Sequence, residues 1–344
     1  MKTFKFYLVG AMLASMVCPS NALDRKDIPI RKEKVTKNII LYKTGETSAN
    51  PNMVAVKTSK GIVVVDALQY PELAGKVRKM ITREFGNNIA YLVNTHAASD
   101  HTGGATAFDD IPIIGHSNIK MEQKREHEMA SSSQYQEFLE KMSTPSEKFW
   151  TNYPGNPLEI DESVANTRNM LSDIKNNALK LIVPDTLFDD QYVLNMGNRT
   201  LKMYHNIPSY SESDIIIYIP EEKALIIGDI FNKQRLPWIN QNLNLESWEK
   251  LFAPYLAEPS EVKYFIGTHG SVMTRDEVRD QFNYLKKLLS EVQRLKKEGK
   301  TVEDALKELA LDKFPYLSNF NPYFYGTPIH MHNRNIQVMW MQLS

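Results

Sequence analysis

The chain has 344 residues, and its 41 basic and 41 acidic side chains give a formal net charge of zero. Nucleic acids and acidic membrane surfaces attract an excess of positive charge, so a neutral chain predicts no nucleic-acid partner. With 42% hydrophobic and 10% aromatic residues, the composition is typical of a folded globular protein and excludes a disordered one.

Residues 1–22 have the pattern of a secretory signal peptide. Two lysines lie near the start, residues 6–18 form a short apolar segment, and residues 20–22 place Ser and Ala at the expected cleavage positions. We predict an exported protein, periplasmic or secreted, whose mature chain begins at Leu23 and has no stable insertion in the membrane. A retained N-terminal anchor is the alternative.

The only cysteine, Cys18, lies in this predicted leader. The mature chain would therefore contain no disulfide and no thiolate. Any metal ligand must come from His, Asp, Glu or Tyr.

The first part of the mature chain predicts a mixed sheet with a helix packed on it. Short runs rich in Val and Ile, separated by Gly, Ser and Asn, indicate strands, and residues 72–85 have the apolar spacing of a helix. Strands followed by a strand–helix–strand unit favour a sheet covered by helices. The predicted strands are residues 38–42, 53–57, 61–67, 89–93 and 112–116.

From residue 119 to about residue 180 the chain is polar and helix-prone, which predicts a helical insertion broken at Pro145 and at residues 152–157. Two interpretations are open: the insertion is a wall or lid over a site, or it is a surface embellishment. The remaining predicted strands are residues 181–184, 192–194, 201–205, 214–219, 224–227 and 262–266, followed by helices over residues 275–297, 302–309 and from residue 332.

Metal-binding residue types follow three of the predicted strands. His96, Asp100 and His101 follow one apolar strand, Asp229 follows a second, and His269 follows a third. Strand ends in a layered α/β domain gather at one edge of the sheet, so we expect these side chains to lie close together. Imidazole and carboxylate donors suit zinc and similar divalent ions.

These motifs resemble the metallo-β-lactamase superfamily, whose signature is T-H-x-H-x-D-H-x-G-G. Residues 95–104 match that signature except at Ala98. Residues 228–229 match the later Gly-Asp motif of the family, and residues 267–270 match its Gly-x-His-Gly motif. Pro208-Ser209-Tyr210-Ser211 stands where the family has P-x-H-T.

The resemblance covers about residues 38–270 and implies an α/β fold, the αββα sandwich of the metallo-β-lactamase type. We predict a metallo-β-lactamase-like domain over residues 23–270, with the helical insertion at about residues 119–180. Residues 271–344 are predicted to form a helical C-terminal extension packed on the same domain.

The resemblance implies two metal sites, of which the first is degenerate here. In the family, two signature histidines and the histidine of P-x-H-T hold the first ion. This chain keeps His96, but Ala98 and Tyr210 stand at the other two positions. Alanine offers no donor, and a neutral tyrosine, with an ordinary pKa of about 10, is a poor zinc ligand, although a tyrosinate would suit ferric iron.

The second metal site is complete. The resemblance implies that Asp100, His101 and His269 hold its ion, with Asp229 bridging or supporting it. Three protein ligands and one open position are the usual arrangement of a catalytic zinc. We therefore predict one zinc ion at this site, with iron or manganese as alternatives and with His96 as a further ligand.

The predicted catalytic residues are Asp100, Asp229 and Tyr210. Asp100 holds the ion, Asp229 holds or deprotonates a water, and Tyr210 donates a hydrogen bond to a developing oxyanion.

The other histidines are expected to have structural or surface roles. His116 and His205 belong to this group, although a rearranged first site that includes them is an alternative. His127 is expected to be solvated, and His330 and His332 to cap or pack a helix.

Two functions from different classes remain. The leading one is an exported metal-dependent hydrolase that acts on a small-molecule ester, lactam, lactone, sulfate ester or phosphate ester. The alternative is a catalytically inactive binding or scaffold protein that keeps the fold. The aromatic segments at residues 314–316 and 322–325 either line a substrate pocket or pack the C-terminal segment.

Overall fold

The structure, a computed structural model, describes residues 25–86, 88–205, 210–241 and 243–343. The predicted signal peptide, its Cys18 and the Pro208-Ser209 pair lie outside these residues. Within the described part of the chain, no helix combines the length and apolar character that crossing a membrane requires.

The first of two central sheets has seven strands in the order of the sequence. Strands one to four pair antiparallel, and strands four to seven pair parallel. The strands are β1 (Ile30–Lys34), β2 (Ile39–Thr44), β3 (Asn52–Thr58), β4 (Gly61–Val65), β5 (Ile89–Val93), β6 (Ile113–His116) and β7 (Thr186–Phe188).

The second sheet has five strands in the order β12-β11-β10-β9-β8. Its pairs are antiparallel except for the parallel pair of β11 and β12. The strands are β8 (Gln191–Asn195), β9 (Thr200–His205), β10 (Ile215–Ile219), β11 (Ala224–Gly228) and β12 (Tyr264–Gly267).

Helices cover the outer face of each sheet because parallel neighbours need long crossover connections. The helices are α1 (Pro71–Phe85), α2 (Ser99–Thr102), α3 (Ile119–Ala130), α4 (Ser133–Met142), α5 (Glu147–Asn152), α6 (Leu158–Lys175), α7 (Leu245–Leu256), α8 (Arg275–Lys297), α9 (Val302–Glu308) and α10 (Met331–Gln342).

The central strands are apolar on both faces, and each face belongs to a different layer of the core. In β2, Ile39 and Leu41 point between the two sheets, whereas Ile40 packs with Val77 and Ile81 of α1. This alternation follows from the two-residue repeat of a strand. The second sheet packs in the same way against α7, α8 and α10. The predicted αββα sandwich is therefore confirmed.

Three local predictions differ from the structure. Residues 181–184 are not a strand: Pro184 has no N–H to donate, and the next strand begins at Thr186. The edge strand β1 was not predicted because four of its five residues are charged (Arg31 to Lys34), as edge strands often are. Helix α7 was also missed; Pro254 interrupts its pattern, while Asn244 caps its start by accepting from the Ser247 N–H.

The predicted insertion is helical and consists of α3 to α6. Its breaks fall between α4 and α5, next to Pro145, and between α5 and α6 at residues 153–157, close to the predicted positions. Side chains of α4 and α6 line the cavity above the strand ends, so the insertion forms a wall and not a surface embellishment.

Candidate metal centre

The centre lies where β5, β11 and β12 end. Helix α2, which residues 94–98 connect to β5, carries Asp100 and His101. Asp229 follows the last residue of β11, and His269 follows β12 closely. His101, Asp229 and His269 are almost completely buried. The strand ends therefore bring together the residues that the sequence grouped by motif.

The Gly-Gly pair of the signature has a steric reason. A Cβ on Gly103 would collide with the carbonyl oxygen of Gln69, and a Cβ on Gly104 would collide with that of Ala67. The Gly104 N–H donates to the Leu68 carbonyl at 2.8 Å, which fixes this close approach. The two glycines thus let α2 sit against the loop that follows β4.

Four donor atoms converge at the centre. The Oδ2 atom of Asp100 lies 3.3 Å from the Nε2 atoms of both His101 and His269. The Oδ2 atom of Asp229 lies 3.5 Å from the first Nε2 and 3.7 Å from the second. Ligands on tetrahedral zinc, at bonds of about 2.0–2.2 Å, stand about 3.3–3.6 Å apart. The spacing of Asp100, His101 and His269 therefore fits one metal ion, with Asp229 beside the two imidazoles.

Both imidazoles are held so that Nε2 faces this point. The Nδ1 of His101 lies 3.0 Å from Oδ2 of Asp66, and the Nδ1 of His269 lies 2.9 Å from the Ser48 carbonyl oxygen. Metal-binding histidines usually donate their second N–H to such partners. Each Nε2 is buried and lacks a hydrogen-bond partner among the described residues, as expected for a ligand atom.

Asp66 supports the centre from behind. Its carboxylate accepts from the backbone N–H of Thr95 at 2.7 Å and from the hydroxyl of Thr95 at 2.8 Å, in addition to its contact with His101. Its φ of 60° lies in the left-handed region that Asp and Asn tolerate better than most residues. Because three hydrogen bonds occupy this carboxylate, Asp66 orients His101 and is not itself a free ligand.

The carboxylates and imidazoles of the cluster shift one another's pKa values. Burial raises the pKa of the Asp100 carboxyl, but His101 and His269 outweigh burial and hold that pKa well below its ordinary value. The pKa of Asp229 is lowered in the same way, chiefly by His269 and then His101. Burial lowers the pKa of His101, yet Asp100 and Asp229 outweigh it and raise that pKa well above the ordinary value. Both carboxylates therefore favour their charged form beside the imidazoles, which suits a cation.

Asp229 has one free oxygen. The hydroxyl of Thr268 donates to its Oδ1 at 2.6 Å, and the amide of Asn232 donates to the same atom at 3.3 Å. These contacts leave Oδ2 directed at His101 and His269. Asp229 can therefore support the ion or accept a proton with one oxygen while the other anchors it.

The residues that remain at the incomplete first metal site form a packed aromatic cluster. His96 is fully buried, with its ring 4.3 Å from the His101 ring and 5.1 Å from the Tyr210 ring, measured between centroids. Its Nδ1 lies 2.9 Å from the Thr95 hydroxyl. Ala98 offers only a methyl group to the cavity. The structure thus places His96 beside the four converging atoms and not among them.

The surroundings of Tyr210 favour its neutral phenol. Burial, and then the carboxylates of Asp229 and Asp100, raise the pKa of its phenol well above the ordinary value. A neutral phenol can donate to an oxygen that gains negative charge. The tyrosinate that would suit ferric iron is disfavoured by the same surroundings.

A cavity of about 270 Å³ opens over these residues, and we call it the metal cavity. Asp100, Asp229, His269 and Tyr210 form its floor. Its walls are largely apolar and come from the insertion and the C-terminal segment: Tyr135, Phe138, Leu139, Met142, Met170, Phe324, Tyr325 and Ile329.

The two predicted aromatic segments have different roles. Tyr325 stacks on His269 with 4.4 Å between ring centroids and lines the metal cavity with Phe324. Phe314 is instead buried against Tyr284 in the outer helical layer. One segment therefore lines a pocket, and the other packs the C-terminal region.

The structural roles expected for four histidines are confirmed. His116 and His205 stack on each other with 3.7 Å between ring centroids, and each ring binds a backbone carbonyl. His330 caps α10, and His332 lies buried with its Nδ1 3.0 Å from the Tyr284 hydroxyl.

His127 is half-buried and so meets the expectation of a solvated side chain only in part. Its Nδ1 is enclosed and has no hydrogen-bond partner among the described residues, and its ring lines a second cavity next to the metal cavity. The helix α3 that carries it packs over this cavity, which the polar sequence of the helix did not indicate.

Sequence reasoning missed three supporting residues, namely Asp66, Ser48 and Tyr325. Asp66 follows the apolar strand β4, so the argument from strand ends could have identified it. Ser48 acts through its backbone carbonyl, and Tyr325 reaches the centre from a distant part of the chain. Neither leaves a local signal in the sequence.

With the fold and the donor set established, comparison with known proteins decides the family. The model of the metallo-β-lactamase superfamily matches residues 48–269, which include every converging donor. The chain belongs to the metallo-β-lactamase superfamily. Within this superfamily, the chain departs from the full signature at Ala98 and Tyr210.

Individual relatives show how far the likeness extends. A linear primary-alkylsulfatase from Pseudomonas sp. (strain ATCC 19151) is 21% identical over 80% of this chain and 53% of its own length. A metallo-β-lactamase type 2 from Bacillus sp. (strain 170) is 31% identical over 33% of this chain and 44% of its own length. The solved structure of the inverting sec-alkylsulfatase from Pseudomonas sp. has a TM-score of 0.65 at 17% identity, over 91% of this chain and 50% of that one. The chain thus matches about half the length of these relatives.

Proposed function

We propose that this protein is a metal-dependent hydrolase that uses a single ion held by Asp100, His101 and His269, with Asp229 in support. One observation carries the proposal: the Oδ2 atoms of Asp100 and Asp229 each lie 3.3–3.7 Å from the Nε2 atoms of His101 and His269, close to the spacing of ligands on one zinc ion. The buried, unpartnered Nε2 atoms agree with this assignment.

When bound, zinc would polarise the bond to be cleaved and lower the pKa of an attacking water. The chain's own residues do the rest. Oδ2 of Asp229 can accept the proton of that water, because Thr268 and Asn232 hold the other oxygen in place. The Tyr210 hydroxyl, which belongs to the lining of the metal cavity, can donate to the oxygen that becomes negative.

The substrate that this site favours is an ester with an apolar organic part. The floor of the metal cavity is polar, whereas Phe138, Leu139, Met142 and Phe324 make its walls apolar. Two relatives that match most of the chain are alkylsulfatases by name, and the lactamase that matches by sequence covers a third of it. We therefore propose a sulfate ester as the first substrate to test, ahead of lactams.

Export belongs to the same proposal and is supported by the leader-like residues 1–22. Expression of the full chain in a bacterial host, followed by N-terminal sequencing of the periplasmic fraction, tests it. A mature protein that begins near Leu23 is expected; a full-length cytoplasmic protein would contradict it.

A binding protein without catalysis is the second candidate, because Ala98 and Tyr210 remove two donors of the first metal site. In that case the same ion would be bound, and the metal cavity would hold a ligand without cleaving it. Turnover separates the two candidates, whereas metal content does not.

The decisive experiment combines elemental analysis with a substrate panel. We expect about one zinc per chain and chelator-sensitive hydrolysis of a primary alkyl sulfate, tested beside a p-nitrophenyl ester and a chromogenic cephalosporin. The double variant His101→Ala, His269→Ala should lose the zinc and the activity, because it removes two of the four donors. His330→Ala, which changes a histidine outside the centre, is the matched control and should retain both.

Zinc-free protein at neutral pH would overturn the metal assignment. Bound zinc without turnover of any of the three compounds would favour the binding protein.

A further inference from the structure

Two contacts fix the orientation of the His269 imidazole. Its Nδ1 lies 2.9 Å from the Ser48 carbonyl oxygen, and its ring stacks on Tyr325 with 4.4 Å between centroids. The backbone of His269 is held separately, since its N–H donates to Oδ1 of Asn232 at 2.9 Å. Ser48 and Tyr325 therefore set the ring and not the chain, and whatever holds these two residues decides where the Nε2 atom points.

Both contacts lead to one guanidinium group, that of Arg235 in the loop after β11. Its Nη2 donates to the Ser48 hydroxyl at 2.6 Å, and its Cζ lies 5.0 Å from the centroid of the Tyr325 ring. Its Nη1 also donates to the Tyr323 carbonyl at 3.4 Å. Arg235 thus contacts the loop that carries Ser48 and the segment that carries Tyr325.

A single carboxylate, that of Glu159 near the start of α6, pairs with Arg235. The two side chains form a salt bridge and are buried, with 8% of Arg235 and 5% of Glu159 exposed. The Ser48 hydroxyl donates to Oε1 of this carboxylate at 3.1 Å, while Tyr153 and Asn321 donate to Oε2. Both carboxylate oxygens are occupied, so the pair is built into the fold and offers no free charge to a substrate.

Helix α6 also holds the loop between β2 and β3, which carries the orienting carbonyl. The Glu162 carboxylate accepts from the N–H of Thr47 at 3.1 Å and from its hydroxyl. The Asn166 amide donates to Oδ1 of Asn50 at 3.1 Å. Glu159, Glu162 and Asn166 follow each other at spacings of three and four residues, so they lie on one face of the helix. One face of the insertion therefore binds the loop that orients a metal ligand.

The segment that carries Tyr325 is held by the same helix. Tyr325 has a φ of 40°, in the left-handed region that a bulky aromatic residue rarely adopts. Such a conformation persists only where the surroundings hold it. The next residue, Gly326, packs so closely on the backbone carbonyl of Glu159 that a Cβ would collide with it. The first turn of α6 therefore fixes this segment as well as the loop between β2 and β3.

We propose that the buried pair of Arg235 and Glu159 positions His269 for metal binding. The pair acts through the Ser48 carbonyl and the Tyr325 ring, and neither of its members lines the metal cavity. Apolar residues of similar volume often stabilise a fold as well as a buried ion pair does, so stability alone does not account for this pair. The inference rests on the proposed function, because it takes His269 to be a metal ligand.

A double variant that removes both charges together tests the proposal without leaving either one unpaired. In Glu159→Leu, Arg235→Met, zinc affinity should fall by about 10- to 100-fold, the usual cost of losing a group that orients a metal ligand. Competition with a chelator measures it on the full chain. The matched control is Glu222→Leu, Arg199→Met, which removes an equally buried pair, 2.6 Å apart, at the opposite end of β11. A zinc affinity equal to that of the control would overturn the proposal.

A smaller change separates positioning from folding. Ser48→Ala keeps the ion pair and removes only the hydroxyl that joins it to the loop, so zinc affinity should fall by about three- to tenfold, the range of one net hydrogen bond. Ser48→Thr retains a hydroxyl and should restore the affinity. Equal affinity in the alanine and threonine variants would contradict the role of this hydroxyl as the link.

Crystal structures of the metal-free proteins keep this inference apart from the proposed function. In the wild type and the control double variant, Nδ1 of His269 should remain 2.9 Å from the Ser48 carbonyl oxygen. In the Glu159→Leu, Arg235→Met variant, the ring should turn away from that oxygen while His101 keeps its position; an unmoved ring would overturn the inference. A displaced ring in a protein whose wild type binds no zinc would contradict the proposed function and retain the positioning role. Zinc binding with an unmoved ring would do the reverse.

Discussion

The first half of the metal motif (His96 with the positions of Ala98 and Tyr210) and the second half (Asp100, His101 and His269) lie within a few ångströms of each other. Their side chains are nevertheless arranged differently. In one half, Asp100, His101 and His269 aim their donor atoms at a common point, and hydrogen bonds orient both imidazoles. In the other half, His96 and Tyr210 pack as aromatic rings. The Nδ1 of His96 is also held, by the Thr95 hydroxyl, so what the first half lacks is the other donors, which Ala98 and Tyr210 do not supply.

Restoring the first half is the strongest test of this comparison. The double variant Ala98→His, Tyr210→His should raise the zinc content from about one ion to about two per chain, because it returns both missing imidazoles beside His96. Elemental analysis after dialysis measures the change. Each single substitution is the control and should stay near one ion, since two imidazole donors alone hold zinc weakly.

A content of one ion in the double variant would show that the first half has lost more than its ligands. In that case residues around His96, and not the two missing imidazoles alone, would prevent the first ion from binding.

Removing support from the second half should have the next largest effect. Asp66→Asn keeps the shape and the tolerance for positive φ but replaces an acceptor of the His101 N–H by an amide. We expect zinc affinity to fall by about 10- to 100-fold, the usual cost of such a partner. Competition with a zinc chelator measures it. Asp173→Asn, at a carboxylate outside the centre, is the control, and equal losses in both variants would contradict the role of Asp66.

Tyr210→Phe separates the two roles open to this residue. If the hydroxyl donates to the developing oxyanion, kcat should fall by about 10- to 100-fold while zinc content stays the same. Tyr218→Phe, at a tyrosine in the second sheet, serves as the control. A loss of zinc in Tyr210→Phe would instead show that the phenol is a ligand.

The smallest effect concerns the stacked pair of His116 and His205, which lies outside both halves. Burial, and then His205, lower the pKa of His116 to about 4 in the folded state. The unfolded chain, with an ordinary pKa near 6.5, binds the proton first as the pH falls. The free energy of unfolding should therefore decrease from about pH 6.5 to about pH 4, by on the order of 2 kcal/mol.

The variant His116→Gln should flatten this dependence in urea titrations at a series of pH values. An unchanged slope in the variant would exclude His116 as its source, and a change in zinc content would reopen a rearranged first site.

Local sequence patterns identified most of the fold because strand and helix signals are carried by neighbouring residues. Strand β5 and helix α8 were predicted with the observed bounds, and the spacing of the signature located Asp100 and His101. The differences from the structure have physical causes. Strand β1 is charged because it lies at an edge, and His127 appears solvated in sequence because α3 is polar on most of its surface.

By itself, the sequence determined the sandwich, the strand ends that carry the donors, and the loss of two donors at Ala98 and Tyr210. Motifs report these features because each depends on a short stretch of chain. The tertiary structure alone decided which donors converge, that Asp66 orients His101, and that Tyr325 stacks on His269. These features depend on packing between segments far apart in the chain, so no local pattern encodes them.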